Sequence, residues 1–485
     1  MGIGLIAGLQ QELAVVLIVI VLLFIKLGSD RYRTETILGL VNVLLGINLA
    51  AGLMMAPTQT VLFGGGFHTN ELIILEKNIF NLGTLLISLQ AYDWLKGHKL
   101  ALEFYMLLLS TLAGLFFMIS AGNLLMFYLG LEMSTIPLAA LSNFDLEKRQ
   151  SSEAAVKFIM SSAFSSALLL FGISLLYGAT GTLDLGTLAA SDDNLPLRMA
   201  GILGSTGAHA LLVFAFVLLL SGFAFKISVV PFHLWTADVY EGSPVPVTAY
   251  LSVISKGAVF FAFIQVLYTT FRPLARDWYN MLVLLAVLTM LTGNLFALRQ
   301  DKLKRLLAFS SIAQVGFILV GMTGSPTTAN ASVIYFILVY LFSNLGAFGV
   351  VAVVSAMTGK EGIDDYKGLY KTNPFLSWVM AISLFSLAGI PPTAGFFGKF
   401  FLLMSGAGRG NYVFISMAAL NMVISLYYYL RVIKAIFMDA NDHPIGRLKI
   451  SLLPAIALMV CVAGVLLTGL LGWVYDYIYS LSANF

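Results

Sequence analysis

An all-α polytopic membrane protein is the fold class that three features of the sequence predict. The 485 residues are 59% hydrophobic and only 11% charged, where a soluble chain of this size carries about 25% charge. Apolar runs of about 20 residues, the length that crosses a bilayer, recur from one end to the other. Two longer runs, each with proline near its middle, read as broken helices.

Fourteen spans are expected, at 10–27, 35–55, 77–95, 102–120, 122–142, 154–177, 208–240, 246–270, 278–298, 303–322, 330–357, 375–405, 411–438 and 451–473. The third is the least regular, because Glu76 and Lys77 mark its start. The first is read as a retained helix and not a signal peptide, since Lys26, Arg31 and Arg33 follow the apolar run. Connections are short except near 56–76 and 178–207, so spans pack mostly against their sequence neighbours.

Seventeen Lys and Arg residues fall in loops after the odd-numbered spans, and five (Lys77, Arg198, Arg272, Arg276, Arg409) in loops on the other side. Cytoplasmic loops carry the excess of Lys and Arg. Both termini are therefore expected on the non-cytoplasmic side.

The seventh and twelfth spans, His209–Tyr240 and Pro374–Ser405, cover 32 residues each. Proline removes a backbone donor and clashes with the preceding turn. Pro231 should free the carbonyl of Ile227, next to Lys226; Pro391 and Pro392 should free Leu387 and Ala388, with Lys399 two turns on. Irregular backbone at membrane depth is tolerated only where protein buries it or it lines a cavity. The breaks lie five spans apart, an odd number, so a repeat of five must be inverted. The expected division is three N-terminal helices (1–100), a first five-helix repeat (101–271), a second, inverted repeat (272–440) and a C-terminal helix (441–485), a plan common among transporters.

Ionisable residues inside spans mark ion paths more often than scaffolding. Glu132 lies about ten residues into the fifth span, Lys226 before the first break, Lys256 about ten residues into the eighth span and Lys399 after the second break. Burial favours a neutral lysine and a nearby carboxylate a charged one, so Glu132 is the natural partner of Lys226 and small movements could switch the pair. Lys157, near the start of its span, is as well placed to snorkel as to act. His233, where the seventh helix re-emerges, is a candidate relay through its near-neutral intrinsic pKa. Asn294, Ser310, Ser311, Gln314, Ser343 and Asn344 are accounted for by hydrogen bonding between helices. Tyr427–Tyr429 reads as interfacial anchoring.

The single cysteine, Cys461, offers neither an internal disulfide nor the four ligands of an iron–sulfur cluster. The five histidines are scattered, and the Gly64–Gly66 triplet follows no strand-like run. No electron carrier, metal or nucleotide is expected in this chain.

Four stretches carry a resemblance. FKISVVPFHLWTADVYEGSPVPV, GLEMSTIPL, KLKRLLAFSSIAQVGFI and SLAGIPPTAGFFGKF resemble, in order, the seventh, fifth, tenth and twelfth helices of the antiporter-like membrane subunits of respiratory complex I, the proton-translocating NADH:quinone oxidoreductase. Within that family the chain is most similar to the subunit N branch, and fourteen spans fit a bacterial source. One departure is Gln314, where some relatives carry histidine. The resemblance implies a translocase subunit of the bacterial cytoplasmic (inner) membrane that couples quinone reduction to proton pumping. FMN, iron–sulfur clusters, NADH and quinone would belong to other subunits. Its partners would be the other membrane-arm subunits, the hydrophilic redox arm indirectly, and membrane lipid, with no nucleic acid. Glu132 and Lys226 would be the intake pair, Lys256 the central relay and Lys399 the terminal lysine. A subunit of a multi-subunit sodium/proton antiporter, a membrane subunit of an energy-converting hydrogenase, and a non-pumping structural spacer are the alternatives. The spacer leaves four buried ionisable groups without a reason.

The charge bias makes a direct prediction. In a Cys461→Ser background, a cysteine replacing Asn484 should react with an impermeant maleimide applied to the non-cytoplasmic side. Reaction only after the membrane is opened would reverse the orientation.

Overall fold

The computed structural model describes residues 8–28, 33–54, 59–190, 200–441 and 443–483. Its membrane helices are α1 Gln10–Gly28, α2 Thr34–Met54, α3 Glu71–Gln90, α4 Ala101–Ile119, α5 Leu124–Ser142, α6 Arg149–Thr180, the broken pair α7a Ala200–Ile227 and α7b Leu234–Gly242, α8 Val245–Thr269, α9 Ala275–Ala297, α10 Leu303–Gly321, α11 Pro326–Thr358, the broken pair α12a Pro374–Ala388 and α12b Ala394–Ala407, α13 Tyr412–Phe437 and α14 Leu452–Leu470. Among the described residues thirteen helices are long and apolar enough to cross a bilayer, and α12a with α12b completes a fourteenth span from two shorter ones. A short helix, α15 (Trp473–Ser482), follows the last span. Arg198 and Asn484 lie outside the described residues.

The third span corrects the reading from sequence. Its helix starts at Glu71, capped by the Asn70 side chain, which accepts from the Ile73 amide at 2.8 Å. Glu76 and Lys77 therefore sit inside it. Lys77 is 1% exposed, 2.6 Å from an equally buried Glu12 carboxylate of α1, and leaves the set of loop charges. Within an otherwise helical fold, the stretch before α3 folds into a small hairpin of β1 (Thr60–Leu62) and β2 (Phe67–Thr69), turned through positive φ at Gly64 and Gly65. The His68 amide ties it to Ser120 O at 2.8 Å, at the end of α4.

α11 runs through the centre, in contact with α3, α8, α10, both halves of α12, α14 and α15. It has buried residues on every side, as have α8 and α10, whereas α1, α2, α13 and α14 present broad apolar faces outward. A helix hydrophobic all round belongs in the interior of such a bundle.

α4 packs on α5 and α9 on α10, the same positions of the two five-helix units. Both crossings are made through glycine. A Cβ on Gly130 would lie 2.6 Å from Met118 N and 2.9 Å from Gly114 O; one on Gly293 would lie 2.4 Å from Ala313 N. Backbones approach this closely only through small residues. α6 packs along α7a and reaches α7b, which also meets α10. The break in span 7 thus stands where the two repeats join.

Gly130→Ala should force α4 and α5 apart and cost about 1–3 kcal/mol, as overpacking does. Gly39→Ala in α2 meets no atom within 4 Å and should be neutral or stabilising by about 0.5–1 kcal/mol. Thermal midpoints in mild detergent check the contrast, and equal midpoints would contradict the tight crossing.

Candidate functional site

Lys226 leaves the last turn of α7a and is 7% exposed. Its ammonium donates to Thr135 Oγ1 of α5 at 2.6 Å and to Ser162 Oγ of α6 at 2.8 Å. Glu132 lies one turn from Thr135 on α5, and Ser166 one turn from Ser162 on α6. The Ser166 hydroxyl donates to Glu132 Oε1. The expected pair is therefore two neighbouring rungs between α5 and α6: a carboxylate held by one serine, and an ammonium held by a threonine and another serine. Glu132 and Lys226 do not form an ion pair here. Thr135 and Ser162 accept the lysine's protons in its place. The lone S or T in an apolar run carries no sign of this role, so Thr135, Ser162 and Ser166 were not singled out from sequence.

The break after α7a satisfies its own polar groups. Ser228 takes a positive φ of 67°. Trp235 Nε1 donates to Phe225 O at 3.0 Å, Thr236 Oγ1 to Ser228 Oγ at 2.7 Å, and the Val230 amide to Thr289 Oγ1 of α9 at 3.2 Å. His233 lies at the break, half-buried, with Nδ1 enclosed and without a hydrogen-bond partner. Lys157 is not buried. At 42% exposure it bridges Glu153 at 2.8 Å and Asp238 of α7b at 2.7 Å. Asp238 and Glu241 also receive Arg305 of α10, and Glu241 receives Lys302. Lys157 thus belongs to a charged clasp that ties α6 and α7b in the first repeat to α10 in the second.

Lys256 follows a π-helical turn, Leu251–Ser255, inside α8. Such turns are frequent at functional sites, and nothing in the residue pattern announces this one. Lys256 is 3% exposed, donates to Ser311 Oγ of α10 at 3.0 Å and lies 5.2 Å from the centre of the Tyr240 ring. Ser252 and Tyr340 share a hydrogen bond of 3.1 Å one turn away.

Lys399 confirms the effect of proline most directly. It donates to Leu387 O at 2.7 Å and Ala388 O at 3.2 Å, the two carbonyls that Pro391 and Pro392 leave unpaired. Gln314 of α10 donates to the same Leu387 O at 3.0 Å and to Tyr429 Oη at 3.1 Å. Ser311 and Gln314 are one turn apart. One face of α10 thus sets Ser311 against Lys256 and, one turn on, Gln314 against the Leu387 carbonyl that Lys399 also holds. Tyr428 and Tyr429 are fully buried, donating or accepting within this network, and only Tyr427 is exposed. The expected anchoring role is corrected for those two residues. Asn294 and Ser343 do make the hydrogen bonds between helices expected of them, with Asn421 of α13 and Ser386 of α12a.

On the face of the Lys- and Arg-rich loops, a cavity of about 310 Å³ opens at the base of α8. Asp93, Asp145, Glu241 and Glu361 line it together with Lys304, which is buried and lies 3.2 Å from Glu361. Among the described residues, no three His, Cys, Asp or Glu side chains are grouped to hold a metal ion.

Residues 121–425 match the family described as NADH:quinone oxidoreductase/Mrp antiporter, transmembrane. The chain is 44% identical over 481 residues to NADH-quinone oxidoreductase subunit N of Phocaeicola vulgatus, covering 98% of each chain. It is 41% identical to NAD(P)H-quinone oxidoreductase subunit 2 of a Picosynechococcus species, over 88% of this chain and 80% of that one. Among solved structures, a chain of respiratory complex I from Thermus thermophilus superposes with a TM-score of 0.79 at 28% identity, over 96% of this chain and 98% of that one. A chain of the Mrp complex from a Dietzia species superposes at 0.85 over 99% and 97%, but at 22% identity it supports the fold alone. With that coverage, and with both proline breaks and all three lysines lying inside the matched segment, the chain belongs to the NADH:quinone oxidoreductase/Mrp antiporter family of membrane subunits, in its subunit N branch.

Proposed function

We propose that this chain is a proton-translocating subunit of the membrane arm of a bacterial NADH:quinone oxidoreductase. It would sit in the cytoplasmic (inner) membrane with both termini on the non-cytoplasmic side. Residues 101–271 and 272–440 would act as two half-paths. The observation that carries this reading is the linkage across the repeats. Ser311 and Gln314, one turn apart on α10, bring the partner of Lys256 and a partner of the Leu387 carbonyl that holds Lys399 onto one helix face, and Lys226 with Glu132 forms a separate unit on the other side.

In this reading the cavity at the base of α8 collects protons from the cytoplasm. Lys226 receives one when Glu132 is near and yields it when the carboxylate moves away. Lys256 passes it across the repeat boundary, and Lys399 ends the path. His233 is placed to follow the first break, and Lys157 to set the position of α7b through Asp238. The driving energy comes from partners, since FMN, iron–sulfur clusters, NADH and quinone belong to other subunits of the complex. A free-standing antiporter would use the same residues, and copurification separates the two. Flavin and iron–sulfur subunits accompanying a tagged chain support the complex, and small membrane partners alone support the antiporter.

Glu132→Gln keeps the shape and removes the charge, and Lys226→Ala removes the proton carrier. Each should reduce proton uptake into inverted vesicles at least severalfold in a complex that still assembles on a native gel, with NADH:quinone turnover lowered through coupling. The double variant should be little worse than the worse single one, because residues serving one step are not additive. Normal pumping by an assembled Lys226→Ala complex would reduce that lysine to a packing role.

A further inference from the structure

A cavity of about 980 Å³ lies on the face opposite the Lys- and Arg-rich loops, between the ends of α3, α8, α11 and α12b. It takes up far more than the roughly 30 Å³ a liquid water occupies, and its lining is mixed polar and apolar. Three charged groups face it, and none belongs to the path described above.

Glu76 of α3 forms part of the wall. It is 6% exposed, and among the described residues it makes no hydrogen bond or ion pair. Its neighbour Lys77 is engaged elsewhere, with Glu12. The Lys77 charge acts on Glu76 without bonding to it, and a buried carboxyl that no protein group hydrogen-bonds needs water or a proton, which the cavity can supply. Arg272 and Arg409 stand at the exposed mouth. Neither forms an ion pair among the described residues. Arg409 is held instead over the Tyr279 ring at 4.7 Å and the Trp278 ring at 5.5 Å.

The two helices that carry the last lysines of the path lead into this cavity. α8 runs from Lys256 to Gln265 and Thr269, and α12b from Lys399 to Ser405, all three lining residues. Between lysine and cavity both helices are apolar: Gly257–Phe260 on α8 and Phe400–Leu403 on α12b, with Phe261 and Met404 already in the cavity wall.

Resting on the proposed pumping role, we propose that this cavity is the proton-release vestibule and that Glu76 is the group that accepts the outgoing proton. When the apolar segment admits water, the ammonium of Lys256 or Lys399 loses a proton and becomes an amine. The Glu76 carboxylate takes that proton, becomes a carboxylic acid and passes it to bulk water. The two unpaired guanidinium groups make the mouth positive. A charged cleft focuses its field on entering ions, so protons and metal cations are opposed on the way back in. The dry segments keep the vestibule closed to the lysines in this conformation, as hydrophobic constrictions do in channels.

The test uses the assembled complex in a Cys461→Ser background. Gln265→Cys and Thr269→Cys should be modified from the non-cytoplasmic side by impermeant methanethiosulfonates. An anionic reagent should react severalfold faster than a cationic one of equal charge, and Arg272→Gln with Arg409→Gln should remove the difference. Separately, Glu76→Gln should lower the protons moved per NADH severalfold, with Glu76→Asp recovering much of the loss. Absence of labelling from that side, equal rates for the two reagents, or wild-type pumping by Glu76→Gln would overturn the proposal. If Glu76→Gln fails to assemble, the labelling of the two cysteines decides it. Lys226→Ala separates the levels. If it stops pumping and Glu76→Gln does not, only the release role falls; if it pumps normally, the underlying pumping role falls as well.

Discussion

An amine inside hydrocarbon has to be held by polar atoms, and the rest of this molecule is arranged around supplying them. Placing a lysine at mid-membrane costs several kcal/mol on most scales, roughly 2.5–3.5 by insertion measurements. Lys226 is held by two hydroxyls, Lys256 by a hydroxyl and the face of a tyrosine, and Lys399 by two carbonyls that proline has released. None is held by a carboxylate. The contrast within the same chain is Lys77, locked to Glu12 at 2.6 Å with both side chains 1% exposed. A fixed ion pair holds its proton, and breaking it leaves a buried charge without a partner. Hydroxyls accept from an ammonium and donate to an amine equally well. Lys226 and Lys256 therefore rest on hydroxyls that suit either protonation state, Lys399 rests on carbonyls that only accept, and Lys77 rests on a fixed opposite charge.

The two breaks do the same thing to the backbone and different things for the chemistry. In span 7 the lysine precedes the break, and the irregular segment is stitched by its own Trp235, Thr236 and Ser228. In span 12 the lysine follows the break and reaches back to the open carbonyls. The neighbouring helix repeats the asymmetry: α5 offers the carboxylate of Glu132, and α10 offers the neutral amide of Gln314. A carboxylate can change the charge balance at its lysine, whereas an amide relays hydrogen bonds without carrying net charge. The two halves are alike in fold and unequal in electrostatics, an inequality that in the proposed path would give a chain of otherwise similar lysines a direction.

Much of this was legible because it follows from short-range rules. Proline at 391 and 392 dictates which carbonyls are freed, and a lysine two turns on is within reach of them. Apolar length placed the spans, and an odd repeat forces inversion. The third span was misplaced because hydropathy cannot tell a charged helix start from a buried ion pair; the partner of Lys77 lies 65 residues earlier, in α1. The hydroxyls around Lys226 were equally hidden. Serine and threonine are ordinary in membrane helices, and only the tertiary packing brings Thr135 and Ser162 to Lys226 and Ser166 to Glu132. Tyr428 and Tyr429 look like interface residues by composition, and packing against α9 and α10 decides otherwise. The π-turn before Lys256 is set by tertiary fit and has no residue signature at all.

Two cavities of about 310 and 980 Å³ enter the bundle from opposite faces, and they do not share a lining residue. Between them lie the lysines, the amide of Gln314 and apolar segments of α8 and α12b. A continuous file of water through this region would let protons run down their gradient and leave the redox reaction with nothing to drive. An uninterrupted dry barrier would trap every proton at its first lysine. Buried amines on neutral partners, separated from the larger cavity by short apolar stretches, would meet both demands. Each needs only a local wetting to exchange a proton, and wetting one side need not wet the other. The central position of α8, α10 and α11, packed on every side, means that in the proposed mechanism small helix movements would be enough to change the hydration of those stretches.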